Sequence, residues 1–431
     1  MVNITLHPET IVGTIKRMHA VNNGPAKCRI DNCDDYRRAG IPFARNHDAS
    51  YCEEYGSEHC VDVIGIFPNF DADPYDENSY DFAITDKYLQ TILETGTRIF
   101  YRLGNRIEHY CKKYGTLPPK DFHKWAVICE HIIRHYNEGW ANGFHWNIEY
   151  WEIWNEADLD YDDSDNKLCW GGTAAQFYEF YRIAALHLKK CFQHLKIGGP
   201  AASWPTNPWL ERFFAAMTEG ERVPLDFYSW HNYFTDPKTI AENADYVRTQ
   251  LDRWGYTETE SICNEWNYIE RFAGEEFRHS ISVIIGMKGA AFTSSVMAKS
   301  QNASIDMLMY YDARPCVFNG LFDFYTLKPL KGYYPFVMWN ELYILGNQTE
   351  ALSDDPAVDV ICASDGDAVC AVITYYSMDE TADTKEVTVN GEGTYDVYTL
   401  DADHNYVMTQ TVTLPTALSM QANSVIHLKK A

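Results

Sequence analysis

Two glutamates stand where a carboxylate is costly unless it is used. Glu156 ends the run Tyr150-Trp-Glu-Ile-Trp-Asn-Glu156, and Glu265 follows Ser261-Ile-Cys-Asn. Both runs read as short buried strands, and a charge at the end of a buried strand costs free energy unless it is paired or reactive. Two carboxylates facing each other across a pocket can divide chemistry between them. One protonates a leaving oxygen, and the other stabilises or attacks the carbon that the oxygen leaves, as cleavage of a glycosidic bond requires. For each residue taken alone, the ordinary alternative is an ion pair at a strand end. Strand alternation puts Trp154 and Glu156 on the same side of their strand.

Elements that bring two such strand ends together can be read along the chain. From residue 14 to about 345, short apolar runs alternate with helical periods. The strands are expected to begin near residues 14, 41, 97, 148, 196, 226, 260 and 305. Between them Phe122, Trp125, Cys129, Ile132, Ile133 and Tyr136 line one helical face, as do Phe177, Tyr181, Ala184, Ala185, Leu188 and Phe192. Eight strand–helix units predict an α/β fold, a (β/α)₈ TIM barrel over 11–345. Glu156 and Glu265 then end the fourth and seventh strands at the C-terminal face. A doubly wound open sheet would carry a Gly-rich loop after its first strand, and none is present. The longest insertion, 49–80, follows the second strand. Beyond residue 346 the helical period stops, and Asp365-Gly366 and Asn390-Gly391 mark hairpins. This predicts a small C-terminal antiparallel β-sandwich over 346–431, with 1–10 adding a strand through Asn3-Ile-Thr-Leu-His7.

The formal net charge is −25, which repels phosphate backbones and anionic membranes, so neither nucleic acid nor membrane is an expected partner. No basic stretch and apolar run open the chain as a signal peptide does, and the twelve cysteines read as reduced thiols of a cytoplasm. A leader removed from the chain would change that expectation. His47, Cys52, His59 and Cys60 lie close in sequence, with Cys28 and Cys33 nearby, but without the paired spacing of a zinc site. No metal or organic cofactor is expected, and the sequence leaves room for a homo-oligomer. Aromatic residues make up 15 %, a supply of ring faces for sugars, though most such rings simply fill cores.

The motifs carry a family resemblance. Trp154-Asn155-Glu156-Ala-Asp158 on the fourth strand and Asn264-Glu265-Trp266-Asn267 on the seventh resemble those of the retaining barrel glycosidases with two glutamates, and within them glycoside hydrolase family 39. Arg45-Asn-His47, Tyr101-Arg-Leu-Gly104, Gly198-Gly-Pro-Ala201 and Ser229-Trp-His-Asn-Tyr233 match in order on the second, third, fifth and sixth strands. The resemblance implies Glu156 as acid/base and Glu265 as nucleophile. It further implies that Asn155, His47, His231, Tyr233, Trp266 and Asn267 serve an oligosaccharide or glycoside substrate. Asn155 would hold the 2-hydroxyl, Tyr233 would keep the nucleophile ionised, and Arg45 would pair with a barrel carboxylate. Ala157 replaces the family's usual Pro, and the segment after the eighth strand lacks the tryptophan of the family's xylosidases. The family holds β-xylosidases, α-L-iduronidases and arabinose- or galactose-directed enzymes; an exo-acting β-xylosidase-like activity is the first expectation. Arg106, Arg271 and Arg314 are the cations a uronate would meet, if they are not solvated or ion-paired. A carbohydrate-binding barrel without activity is the rival, and the presence of both glutamates speaks against it.

Overall fold

Strand and helix alternate in space as they do in sequence. The computed structural model describes residues 1–51, 57–379 and 381–431, so Cys52 lies outside the described residues. The chain opens with β1 (Val2–Thr14) and enters the barrel at β2 (Arg17–Asn22), followed by α1 (Cys33–Ala39) and β3 (Phe43–Arg45). The hairpin of β4 (Ser50–Tyr51) and β5 (Ser57–Glu58), then α2 (Val63–Ile66) and α3 (Ala83–Leu93), fill the connection to β6 (Arg98–Leu103). Next come α4 (Phe122–Glu138), β7 (Tyr150–Ile153), α5 (Ala174–Cys191), β8 (Lys196–Ala202), α6 (Trp209–Thr218) and β9 (Phe227–Phe234). The barrel ends with α7 (Lys238–Arg253), β10 (Glu260–Tyr268), α8 (Gly274–Ile284), α9 (Met287–Gln301), β11 (Met307–Tyr310) and α10 (Tyr334–Leu345).

β2, β3, β6, β7, β8, β9, β10 and β11 close in that order into a barrel of parallel strands. Their alternation fills the interior in layers. Phe43, Phe100, Tyr150, Phe227 and Met307 form an apolar floor with Ala20, Ile262 and Met309. Two residues beyond Ala20, Phe43, Tyr150 and Phe227, Asn22, Arg45, Glu152 and Ser229 make a buried polar layer. The outward residues meet the helices. In α4, Trp125, Cys129, Ile132, Ile133 and Tyr136 are buried, as the helical period requires. Asp121 caps that helix by accepting from Lys124 N, and Gly139, at φ 77°, ends it. A capping box of Thr173 and Gln176 starts α5. Among the described residues no single helix is long and apolar enough to cross a membrane.

The remaining strands are β12 (Asn347–Ser353), β13 (Val358–Ser364), β14 (Val369–Tyr375), β15 (Lys385–Asn390), β16 (Thr394–Leu400), β17 (Asn405–Thr413), β18 (Thr416–Met420) and β19 (Ser424–Lys430). With β1 they hydrogen-bond in the order β17-β16-β19-β14-β13-β12-β1-β15-β18. β1 pairs antiparallel with β12 from Ile4↔Ser353 to Thr14↔Asn347, and parallel with β15 from Val2↔Val387 to Thr5↔Asn390. The N-terminal segment thus covers what would otherwise be two open edges, and one of its pairings is parallel where the pattern suggested antiparallel strands throughout. Bulges between His7 and Ile11 and between Ile11 and Gly13 let β1 run on to Thr14. Period 2 sorts the two faces. Cys362, Ala371 and Ile373 join Val2, Ile4, Val387 and Leu428 in the sandwich core, whereas Ile361, Ala363, Cys370 and Val372 belong to the barrel's core.

Candidate active site

Arg45 organises the polar layer. Its Nε donates to Glu152 Oε2 at 2.6 Å, Nη1 to Glu265 Oε1 at 2.7 Å and to Asn22 Oδ1 at 3.1 Å, and Nη2 to Asn155 Oδ1 at 2.7 Å. The other oxygen of Glu152 accepts from Ser229 Oγ and from Asn264 Nδ2, each at 2.6 Å. Arg45 and Glu152 are fully buried, and such a charge pair persists because its remaining lone pairs and hydrogens are matched. Despite burial, the two carboxylates hold Arg45 above its ordinary pKa.

Above this layer the two glutamates meet at His231. Its Nδ1 lies 2.7 Å from Glu156 Oε1 and 3.5 Å from Glu265 Oε2. One oxygen of each glutamate and one ring nitrogen of His231 lie within 4.8 Å of one another. Tyr233 donates to Glu265 Oε2 at 2.8 Å. His47 Nε2 stands 3.9 Å from Glu265 Oε1 and 3.7 Å from Asp48 Oδ2. Asn155 turns inward to Arg45, and Asn267 donates to Tyr311 O at 2.6 Å and Phe318 O at 2.9 Å, fastening the loop after β11. Asp158, the motif's last residue, accepts from Ser203 N at 2.9 Å and from its hydroxyl at 2.8 Å, tying the loops after β7 and β8 together.

Local backbone geometry sets these directions. Pairing of β10 slips between Cys263 and Glu265 against β9, and between Cys263 and Trp266 against β11. The irregularity lets two consecutive residues, Asn264 and Glu265, both face the barrel interior. Trp266 then points outward, where its ring meets Phe292 and Tyr310 in the helix shell. It is fully buried there, so the expectation that Trp266 touches substrate is corrected. Trp154 is a second correction. It adopts φ 72° and packs against Trp125, Trp170 and Phe180, outside the barrel, while Glu156, at φ 46°, faces the mouth. Positive φ breaks the alternation that put them on one side, and at a bulky residue it is a strain typical of functional sites.

Burial is the main force on the titrating groups. It pushes Glu156 up to about 7, with Asp48 and Asp160 adding to the rise and Arg45 opposing it. Burial also raises Glu265, and the charge of Arg45 opposes that rise without cancelling it. His231 is driven down to about 4 by burial, so its ring is neutral at pH 7. Burial, reinforced by Arg45 and Arg102, takes His47 well below its usual range. Tyr233, buried beside Glu265, is held well above 10 and keeps its proton to donate. The Glu156–His231–Glu265 group has a donor set that a divalent ion could occupy. Glu265 in this group is already held by Arg45 and Tyr233, and Glu156 is in contact with His231 Nδ1.

Several residues here had no separate place among the sequence candidates. Glu152 is mid-strand in an alternating run, and a carboxylate at an inward position was the available sign. Tyr311 follows the eighth strand, where the family's tryptophan is missing. Its ring lies 6.4 Å from His47 and 6.5 Å from Tyr233, and gives the mouth an aromatic wall. Cys169 brings its thiol to 3.9 Å from Glu156 Oε2. Of the three arginines, Arg106 pairs with Asp62 at 3.2 Å and Arg314 with Asp312 at 3.3 Å. Arg271 is exposed, next to Phe272, whose ring stands 5.0 Å from that of Tyr233.

A model of the family Glycosyl hydrolases family 39 matches residues 2–257, more than half of the chain. The chain belongs to glycoside hydrolase family 39. The matched part of this family 39 chain includes Glu156 and ends before Glu265. It is similar to a β-xylosidase of Caldicellulosiruptor saccharolyticus, 28 % identical over 170 residues, which are 37 % of this chain and 32 % of that protein. A β-xylosidase of Geobacillus stearothermophilus is 28 % identical over 203 residues, 44 % of this chain and 38 % of its own length. The matches thus span about a third of each relative's length. In fold, the chain resembles a glucosidase of Croceicoccus marinus with a TM-score of 0.81 at 21 % identity, covering 100 % of this chain and 98 % of that one. It also resembles a family 39 β-xylosidase of Caulobacter crescentus with a TM-score of 0.70 at 17 % identity, covering 99 % of both.

Proposed function

We propose that the protein hydrolyses O-glycosidic bonds with retention of anomeric configuration, Glu265 acting as nucleophile and Glu156 as acid/base. The observation that carries this reading is the approach of one oxygen from each carboxylate to within 4.8 Å, with His231 between them. Retention needs carboxyl groups about 5–5.5 Å apart, whereas inversion needs roughly 6.5–9.5 Å to admit a water. Glu265, paired with Arg45 and Tyr233, is the better nucleophile; Glu156, pushed up to about 7, holds a proton near neutrality. In the first step Glu265 attacks the anomeric carbon while Glu156 gives its proton to the departing oxygen. In the second, Glu156 takes a proton from water, which displaces Glu265 and restores both groups.

Exo-acting cleavage of β-xylosides in plant oligosaccharides is the first substrate reading, supported by the two β-xylosidase relatives. A uronate has less support, because Arg106 and Arg314 are already ion-paired. A panel of nitrophenyl glycosides tests the proposal. Release from the β-xyloside, with the β-anomer as the first product seen by NMR, is expected. Release from none of the panel by folded protein refutes hydrolysis, and an α-anomer formed first refutes retention.

A further inference from the structure

On the outer surface, α4 and α5 bring together a donor set that the mouth does not use. Glu130 lies on α4, and His187 and Cys191 lie four residues apart on α5, the spacing that sets two side chains on one helical face. His187 Nε2 is 2.7 Å from Glu130 Oε2 and 3.9 Å from Cys191 Sγ. One donor atom from each of the three residues lies within 4.8 Å of the others. Cys191 ends α5 shortly before Lys196 opens β8, so the cluster sits at the N-terminal end of the barrel, away from the mouth.

We propose that Glu130, His187 and Cys191 bind a zinc-class divalent cation that clamps α4 to α5. One thiolate, one imidazole and one carboxylate suit a borderline-soft ion, and tetrahedral zinc takes such ligands at about 2.0–2.3 Å. Bonds of that length put neighbouring ligand atoms roughly 3.3–3.6 Å apart, between the two distances seen here. Modest side-chain rotation therefore builds the site. Arg134 does not obstruct it. Its guanidinium holds Glu130 Oε1 at 2.8 Å, leaving Oε2 toward His187, and its charge is also met by Glu138. The three residues are only half-buried, so an ion has access and a water can complete the fourth position. Binding displaces the Cys191 thiol proton to solvent, with no change of oxidation state.

Cobalt serves as the probe. The full chain is freed of metal with a chelator and titrated with Co²⁺. One equivalent should give tetrahedral visible bands and a near-ultraviolet sulfur-to-cobalt band, both bleached by Zn²⁺. Cys191→Ser should lose the near-ultraviolet band while glycoside turnover stays at the parent level, and His187→Gln should weaken cobalt binding at least tenfold. Absence of the band overturns the proposal. So does a band that survives in Cys191→Ser, which would place the ion at Cys169 in the mouth or at the exposed Cys28 or Cys111. Unchanged affinity in His187→Gln overturns it as well.

Discussion

Arg45 Nη1 lies 2.7 Å from Glu265 Oε1, with no solvent exposure at the guanidinium side chain and 6 % at the carboxylate side chain. The same guanidinium holds Glu152, so one cation serves a carboxylate proposed to react and another that only supports. Removing it strands both. Arg45→Met is expected to destabilise the fold by about 3–5 kcal/mol, the cost of breaking a buried pair from one side. Urea unfolding checks this through the midpoint at unchanged slope. Arg45→Lys keeps the charge but not the fork that reaches Glu152, Glu265 and Asn155 together. It should fold and lose at least about tenfold in kcat/KM, or roughly 1.4 kcal/mol of transition-state stabilisation. Parent activity in Arg45→Lys would show that the fork does not position the nucleophile.

Tyr233 touches the same carboxylate from the other side. Its hydroxyl donates to Glu265 Oε2, and this bond favours the ionised form. Tyr233→Phe removes a hydrogen bond to a charged group, worth about 1.5–3 kcal/mol. The acid limb of the kcat/KM profile should therefore move to higher pH, with a loss of roughly 10- to 100-fold at the optimum. An acid limb that stays in place would mean that Tyr233 is not what keeps Glu265 ionised.

Glu156 links activity to stability. Its pKa in the folded protein is pushed up to about 7 from the ordinary carboxylate range. Between those two values the folded state holds a proton that the unfolded chain has released, so this group's stabilising contribution falls as pH rises. The contribution is fully present below the unfolded pKa and is lost as pH passes about 7. Above that, a buried carboxylate is ionised at a cost. Glu156→Gln carries no such charge. It should gain roughly 1–3 kcal/mol relative to the parent between pH 5 and pH 8. Thermal or urea unfolding at the two pH values measures the difference; a constant difference between the proteins would contradict the raised pKa.

The barrel was legible because its signals are local and repeated. A floor of Phe43, Phe100, Tyr150 and Phe227 follows directly from strand alternation, and the buried faces of α4 and α5 follow from a period of 3.6. Glu156 and Glu265 were visible because each interrupts an apolar run. Trp154 misled through strand alternation, and Trp266 through the family motif that implied a substrate contact. Alternation predicts direction only while the strand is regular, and a positive φ at Trp154 and a register shift beside Glu265 end that regularity. These breaks aim both glutamates into the mouth and send the adjacent tryptophans into the core. Nor could spacing reveal that Asn267 fastens the loop after β11, since its partners are backbone carbonyls of residues 311 and 318.

The roles of the two glutamates can be separated by an added nucleophile. If Glu265 forms the covalent bond, Glu265→Ala can build no glycosyl-enzyme and turnover of every substrate should cease. Glu156→Ala should fail with poor leaving groups yet retain much of its first step with a nitrophenol, which scarcely needs a proton. The product stereochemistry then reads the chemistry directly. In Glu156→Ala the glycosyl-enzyme still forms, and azide in the vacated place attacks from the same side as water would, giving a glycosyl azide of retained configuration. In Glu265→Ala azide takes the nucleophile's own position and displaces the leaving group once, giving the inverted azide. The two cavities lie on opposite sides of the anomeric carbon, so the outcomes do not overlap. NMR of the azide products distinguishes them, and exchanged stereochemistry between the two variants would mean that Glu156 is the nucleophile and Glu265 the acid.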